Sequence, residues 1–514
     1  MHRAPACGAV GGDAAGAGGF IIRVGRENEK RAGAAEQAHA LAGEMRGAAR
    51  LLYSRRGMAT ALEYASARQA QQWDQLQEFL RIPSVSTLPA HKPDVERAAE
   101  WVRSHLAEAG MEHAVVIPTG GHPLVYADWL HVAGAPTILC YGHYDVQPAE
   151  PLEEWQSPPF MPVLRDGNIY ARGAADDKGQ LYAQMQAAEA FLRGEGRLPV
   201  NLRFLIEGEE EVGGEGIEAY VRRNAAALGC DAVLITDTTQ FAAGLPTLNT
   251  GLRGMVYAEV RLRGAEADLH SGLYGGVAPN PLEALARIIC GLKDASGKIL
   301  IPGFYDALRP PSAAEAADWA RLPFDAERYR SEEVRAAALS GELEYTPLER
   351  VWARPTLEVH GIAGGFTAAG AKTVIPARAA AKISMRLAPA QAPAAMAAAF
   401  ERRVRELTPA GFTLEVEILH TAEPVLVESE NRYLRAAAHA LEQTYGRPPV
   451  LVRSGGSIPI AALFAQTLGA PVVLMGFATP DCGAHGPNEK LPLANLQQAV
   501  ATVIRFFAAA AQSA

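Results

Sequence analysis

A histidine and an aspartate two positions apart, His143 and Asp145, directly follow an apolar run over residues 137–141. In an extended segment, residues i and i+2 point to the same side. In open α/β sheets the working crevice lies beyond the carboxyl ends of the strands, so the two side chains can serve one site. The arrangement recurs along the chain. The apolar run 200–206 leads into Glu207, Glu209, Glu210 and Glu211, and the run 232–236 ends on Asp237. The run 471–475 is followed, after a loop containing Gly and Pro, by His485 and Glu489. Between the first two runs, the pair Asp176-Asp177 stands immediately before a helical stretch over 180–193.

Taken singly, each piece has an ordinary explanation. A histidine after a strand is usually a satisfied polar residue, a run of glutamates is usually a solvated face, and two aspartates before a helix suit an N-cap and the helix dipole. Taken together, acids and histidines at successive strand ends, flanked by glycines that allow close backbone approach, are explained by one shared metal site. Imidazole and carboxylate donors without thiolates suit zinc, manganese or cobalt, and a carboxylate such as Asp176 can bridge two ions. Two such ions about 3.5–4 Å apart activate a water and polarise a substrate carbonyl. Amide hydrolysis then needs one more acid, not itself a ligand, to carry the water proton to the leaving amine. Adjacent Glu210 and Glu211 offer one residue for each task.

The motifs that hold these residues resemble the M20 metallopeptidase family. The matching segments are His143-Tyr-Asp-Val-Gln-Pro, Trp155-Gln-Ser-Pro-Pro-Phe, Arg172-Gly-Ala-Ala-Asp-Asp-Lys-Gly, Glu210-Glu-Val-Gly and Ala484-His-Gly-Pro-Asn-Glu-Lys. Further segments are similar to the branch containing cytosolic non-specific dipeptidases and carnosine dipeptidases: Gly251-Leu-Arg-Gly, Asp268-Leu-His-Ser-Gly, Tyr274-Gly-Gly, Ala371-Lys-Thr-Val-Ile-Pro and Gly455-Gly-Ser-Ile-Pro. The resemblance covers the chain from about Met58 to its end. It implies that His143 and Asp237 are terminal ligands of one ion, Glu211 and His485 of the other, and Asp176 the bridge. Glu210 becomes the general base and Asp145 the carboxylate that orients His143. An unusual cis peptide at Asp176-Asp177 is implied as well. His270 corresponds to a lid histidine that reaches the partner subunit's active site and stabilises the oxyanion. Arg386 corresponds to the arginine that binds the substrate carboxylate, a task its planar fork of donors suits. Thr373, Ser457 and Glu489 match further substrate-binding positions.

A chain of 514 residues exceeds what one hydrophobic core normally organises. Residues 58–249 alternate strand and helix patterns as a parallel sheet demands, and residues 424–514 return to that style. The expected fold is α/β: a zinc-peptidase-like catalytic domain with a central, mostly parallel sheet in those two parts. An α+β lid and dimerisation domain over 250–423 is inserted between them. Within the lid, about 295–350 is polar and punctuated by proline, with helical patches near 313–319 and 331–339, and reads as an elaboration without chemistry of its own. Residues 1–57 are rich in Ala and Gly, with no apolar run of the kind a secretory signal or a membrane span needs. They read as a disordered extension or a start-site artefact.

A formal net charge of −9 and the lack of a basic stripe argue against nucleic acid or an anionic membrane as partners. The five cysteines, Cys7, Cys140, Cys230, Cys290 and Cys482, are odd in number and show no C-x-x-C spacing, which suits reduced thiols in the cytoplasm. Cys482 lies three residues before His485, but the resemblance gives ligation to histidines and carboxylates. The expected protein is therefore a homodimeric hydrolase with two Zn²⁺ or Mn²⁺ ions per subunit, acting on dipeptides or short peptides with a free C-terminal carboxylate. Two alternatives stand beside it: an N-acyl-amino-acid deacylase or carboxypeptidase with the same core, and a metal-dependent binding protein that has lost catalysis. The intact set of Glu210 and ligands speaks against the last.

Overall fold

The computed structural model describes residues 56–427, 430–456 and 458–512. The expectation for residues 1–57 falls almost wholly outside the described residues, and Ser457 lies outside them too. Strands β1 (Glu112–Ile117), β2 (Leu124–Trp129), β3 (Thr137–His143), β4 (Asn201–Glu207), β5 (Ala232–Ile235) and β6 (Thr247–Leu252) come first in the chain. The long strands β7 (Gly254–Arg263), β8 (Thr356–Gly364), β9 (Arg378–Leu387) and β10 (Thr413–Ala422) follow, and then β11 (Val425–Leu426), β12 (Val450–Ser454) and β13 (Val472–Met475).

One sheet runs in the order β1-β2-β4-β3-β5-β13-β6-β11, with β12 also paired to β6. Its centre, β4-β3-β5-β13, is parallel. Its flanks, β1-β2-β4 and β13-β6-β11, are antiparallel, so the sheet as a whole is mixed. The central strands are mostly apolar because both faces are covered. Along β3 the side chains alternate between two cores: Ile138 and Cys140 face one, Leu139 and Tyr141 the other.

The first face is covered by α1 (Gln69–Leu80), α2 (Lys92–Ala109) and α3 (Lys178–Gly194). The second carries α4 (Glu215–Asn224). Helix α3 is buried from Lys178 to Phe191, and its buried Lys178, Gln180 and Gln184 donate to backbone oxygens and, for Gln184, to Thr236. Each Leu or Phe closed off in these cores contributes about 1.5–3 kcal/mol.

The lid sheet has the order β8-β9-β7-β10, all antiparallel. Strand β7 alternates buried and half-buried residues along its whole length, the signature of a sheet with one covered face. That face packs on α5 (Pro281–Cys290) and, after the short helices α6 (Ala313–Ala320) and α7 (Pro347–Trp352), on α8 (Pro393–Leu407). Proline at the first turn starts α5, α7 and α8, where its missing N–H costs nothing. The chain then returns through α9 (Arg432–Tyr445), α10 (Pro459–Leu468) and α11 (Leu493–Gln512). Asn431 caps α9 by accepting from Tyr433 N at 2.8 Å, and Gly446, at φ 69°, ends it.

The stretch 295–350 departs from the expectation in two ways. Its second helical patch falls earlier, at residues 326–333, because the Asp325 side chain caps Glu327 N and Arg328 N, while Arg335 turns the backbone to φ 55°. The stretch also reaches beyond the lid. Ile299, Ile301 and Phe304 join the lid core, whereas Trp319 and Leu322 form a separate cluster with Trp352 and with Val452 of β12. Among the described residues, no helix is long and apolar enough to cross a membrane.

Candidate metal centre

The parallel order β4-β3-β5-β13 sets four carboxyl ends side by side. His143 is the last residue of β3, Glu210 and Glu211 open a short helical turn just after β4, Asp237 follows β5 by two residues, and His485 lies on the loop after β13. Asp176 comes from the turn that leads into α3. Two groups of ligand atoms converge there: His143, Asp176 and Asp237 in one, Asp176, Glu211 and His485 in the other. Within each group the atoms lie within 4.8 Å of one another. His143 Nε2 is 3.1 Å from Asp176 Oδ1 and 3.7 Å from Asp237 Oδ2. His485 Nε2 is 2.9 Å from Asp176 Oδ2 and 3.5 Å from Glu211 Oε2. Asp176 thus turns one oxygen to each histidine.

The residues behind these groups fix their geometry. Asp145 is fully buried beside His143 Nδ1, at 3.3 Å through its carboxylate and 3.1 Å through its backbone oxygen. The same carboxylate accepts from Ser86 Oγ at 2.7 Å, Glu211 N at 3.1 Å and Glu210 N at 3.3 Å. One carboxylate therefore orients His143 and positions the turn carrying Glu210 and Glu211. Gln147 donates to Glu211 Oε2 at 2.7 Å. The Asp176-Asp177 peptide is cis. Asp177 occupies the N-cap position of α3, but its side chain makes no cap; its Oδ2 instead accepts from His143 N at 3.3 Å.

Glu489 stands elsewhere than among the substrate contacts expected of it. It is fully enclosed and accepts from Arg172 Nη1 at 2.7 Å and from the backbone N–H groups of Gly173, Ala175 and Asp176 at 2.9, 2.8 and 3.0 Å. Its carboxylate braces the turn that presents Asp176, and its donors come from a segment more than three hundred residues away in sequence. Arg172 completes the brace by donating to Pro148 O at 3.0 Å.

The electrostatics describe an acidic, buried pocket that calls for cations. Burial pushes Glu211 up to about 7 and Asp237 up to about 6, and the neighbouring Asp176 adds to both. Burial above all holds Glu210 well above the usual carboxylate range, with Asp237, Glu211 and Asp145 adding to it and His143 opposing. For Asp176 burial works in the same direction, but hydrogen bonds with His143 and His485 outweigh it and hold the carboxyl low. Burial disfavours the charged form of His143, yet Asp145 and Asp176 raise it well above the ordinary imidazole value. His485 is raised to about 9, chiefly by its hydrogen bond with Asp176. The donor set, two imidazoles and three carboxylates in two converging groups, fits two borderline divalent ions. Cys482 is buried, its thiol pushed up by burial, and it belongs to neither ligand group.

The expected lid residues fall at two separate places. His270 is exposed, accepts from Gly272 N at 3.0 Å, and pairs with Val374 in a two-stranded ribbon; Ser271 N reaches Thr373 O at 3.1 Å. Arg386 lies near the end of β9 opposite Met255, and burial lowers its pKa. Its charge also acts on Arg253, which burial first of all brings down to about 10. Reading the sequence did not find Ser86, Gln147 or Arg172 as supports. Gln147 and Arg172 sit inside quoted motifs, whereas Ser86 carries no local signal.

A family model described as Peptidase family M20/M25/M40 matches residues 139–509. A Cys-Gly metallodipeptidase of Schizosaccharomyces pombe is 34% identical over 452 residues, 83% of this chain and 92% of the relative. A Beta-Ala-His dipeptidase of Homo sapiens is 30% identical over 467 residues, 88% of this chain and 92% of the relative. Among solved structures, an M20 family metallo-carboxypeptidase from Sulfolobus solfataricus matches with a TM-score of 0.77 and 31% identity, covering 86% of this chain and 99% of its own.

Proposed function

Because the chain belongs to peptidase family M20/M25/M40, we propose that it is a dinuclear metal hydrolase cleaving the amide bond of dipeptides or short peptides with a free C-terminal carboxylate. The observation that carries this reading is the pair of ligand groups sharing Asp176, with Glu210 beside them and in neither. His143 and Asp237 would hold one ion, Glu211 and His485 the other, and Asp176 both. When bound, two such ions supply Lewis acidity for the carbonyl and a lowered pKa for the attacking water.

The chain's own residues do the rest. Glu210 takes the proton of the attacking water on its carboxylate and returns it to the leaving amine nitrogen. The burial that raises its pKa makes it a better acceptor in the first step. Asp145 holds the His143 ring through Nδ1, leaving Nε2 turned to Asp176 and Asp237, with which it would hold an ion. Arg386 receives the free carboxylate of the substrate, Thr373 and Ser457 contact its backbone, and His270 stabilises the developing oxyanion. The last role asks for a site shared between subunits, so a homodimer is part of the proposal. Glu210→Ala and His270→Ala proteins, each inactive alone, should regain some turnover when their subunits are exchanged; no recovery would place the whole site in one chain. Zinc or manganese suits the donors. A cytoplasmic setting is supported by Cys140, Cys230, Cys290 and Cys482 standing as free thiols.

The likeness to the Sulfolobus carboxypeptidase favours one second reading, removal of a C-terminal residue from longer peptides or acylated amino acids. A panel of free dipeptides, N-acetyl amino acids and N-blocked dipeptides, offered to chelator-treated protein resupplied with Mn²⁺ or Zn²⁺, separates the two. Metal-dependent cleavage confined to free dipeptides is the expected result. Preference for the blocked compounds would move the assignment to the second reading.

A further inference from the structure

The stretch 295–350 carries none of the metal ligands, yet together with the end of α7 it packs on β12 and on the segment 454–456 at that strand's end. Trp319 of α6 and Trp352 of α7 meet edge to face at 5.2 Å, and Trp352 meets Phe241 at 5.8 Å. Val452 of β12 closes the cluster, with Val450 and Val351 against it. Two further ties reach the end of the strand. Arg453, only 3% exposed, places Nε and Nη2 at 3.1 and 2.7 Å from Glu315 Oε1, with its guanidinium 5.4 Å from the Trp319 ring. Val351 sits so close to Gly455 that a Cβ there would lie 2.7 Å from Val351 Cγ1.

Glu315 is itself fixed. Its other oxygen accepts from Ser312 N at 2.9 Å and Ser312 Oγ accepts from Glu315 N at 3.2 Å, a capping box that locks the carboxylate at the start of α6. The loop is also held by Arg253, the single residue between β6 and β7, where the chain leaves the catalytic sheet for the lid. Its N–H reaches Gly456 O at 3.1 Å and its Nε reaches Gly455 O at 2.9 Å. The loop is therefore tied both to the crossing point of the two sheets and to the inserted helices. Arg386 is close enough to Arg253 for its charge to disfavour that guanidinium.

We propose that the inserted helices α6 and α7 form a strap that positions loop 454–456 for substrate binding, with the Glu315–Arg453 ion pair and the Val351–Gly455 contact as its fastenings. The strap rests on the reading of this corner, next to Arg386, as the place where the substrate carboxylate is held. Glu315 and Val351 are positioning residues, remote from the reacting atoms. A charge-assisted pair that fixes a binding loop affects substrate and transition state alike, so its loss raises KM and leaves kcat in place.

The test compares wild type with Glu315→Gln, which keeps the capping geometry but removes the charge facing Arg453, and with Val351→Ala, which loosens the Gly455 contact without stranding a charge. Both are measured for dipeptide kinetics, bound metal and amide hydrogen exchange of the segment spanning 450–458. The expected result is a KM raised about 3- to 10-fold with kcat within about twofold, unchanged metal content and faster exchange in that segment. Unchanged exchange in both variants would overturn the strap. Faster exchange with unchanged KM would overturn its link to substrate. A wild-type protein that cleaves no member of the panel would overturn the dipeptidase reading instead, and the exchange comparison would still decide whether the strap exists.

Discussion

His143 and His485 approach the two oxygens of Asp176 from environments that have little in common. His143 ends a central strand, is fully buried, and has its second ring nitrogen against Asp145. The His485 side chain is 58% exposed and rides on a loop where its own backbone adopts φ 62° and that of Asn488 φ 60°. A residue with a side chain held in that left-handed region carries a cost of order 1–3 kcal/mol that the surrounding loop must sustain. The same donor type is thus delivered once by a rigid, preorganised element and once by a strained, solvent-facing one. The lesson is that the two halves of the centre should differ in affinity and exchange: the His143 side tight, the His485 side labile.

The harshest way to break this asymmetry is to remove what both halves share. Asp176→Ala should lose both ions and all measurable turnover, read by metal analysis of the purified protein; a variant still holding two ions per chain would contradict the bridging role. Next in size, Glu210→Gln should leave both halves filled and the asymmetry intact while turnover falls about 10²–10⁴-fold. Unchanged turnover would take Glu210 out of the mechanism.

Asp145→Asn sharpens the comparison, since an Asn oxygen can still accept from Glu211 N while its amide faces His143 Nδ1, so the loss falls mainly on the tight half. Metal affinity on that side should fall about 10- to 100-fold, bringing the two binding constants together in a competition titration. The smallest effect concerns protons. With its imidazole raised to about 9 in the metal-free protein, His485 is protonated at pH 7 and must release that proton to ligate. Apparent affinity at the labile half should therefore fall as pH drops below 9, by up to about tenfold per pH unit. Calorimetry in buffers of different ionisation heat would read this proton release directly, and a pH-independent second binding step would refute it.

Much of the centre was legible from the chain. Strand ends announce themselves as short apolar runs closing on Gly, Asp or Glu, and the carboxyl ends of parallel strands are where such residues meet. His143, Glu211, Asp237 and His485 could be marked this way because each lies a few residues past a recognisable run, and Asp176 because it precedes a helix. Glu489 shows where this kind of reading stops. It belongs to the same motif as His485, and nothing local distinguishes an acid that meets substrate from one that binds three backbone N–H groups in another part of the fold. Ser86 was invisible for the same reason: its partner, Asp145, is 59 residues away. The inserted stretch was assigned to the lid by continuity in sequence, although Trp319 and Leu322 cluster with Val452 of a catalytic strand.

The sequence alone determined the donor types, the alternation of strand and helix, and the positions of caps and breaks such as Asn431, Gly446 and Ser312. These depend on side-chain chemistry and on periodicities spanning a few residues. The tertiary structure decided which oxygen of Asp176 faces which histidine, which half of the centre is buried, and that Arg453 meets Glu315 across 138 positions of chain. Those outcomes follow from the order in which strands pair and from what each face must cover. That order is fixed by the packing energy of the whole molecule, and no local pattern contains it.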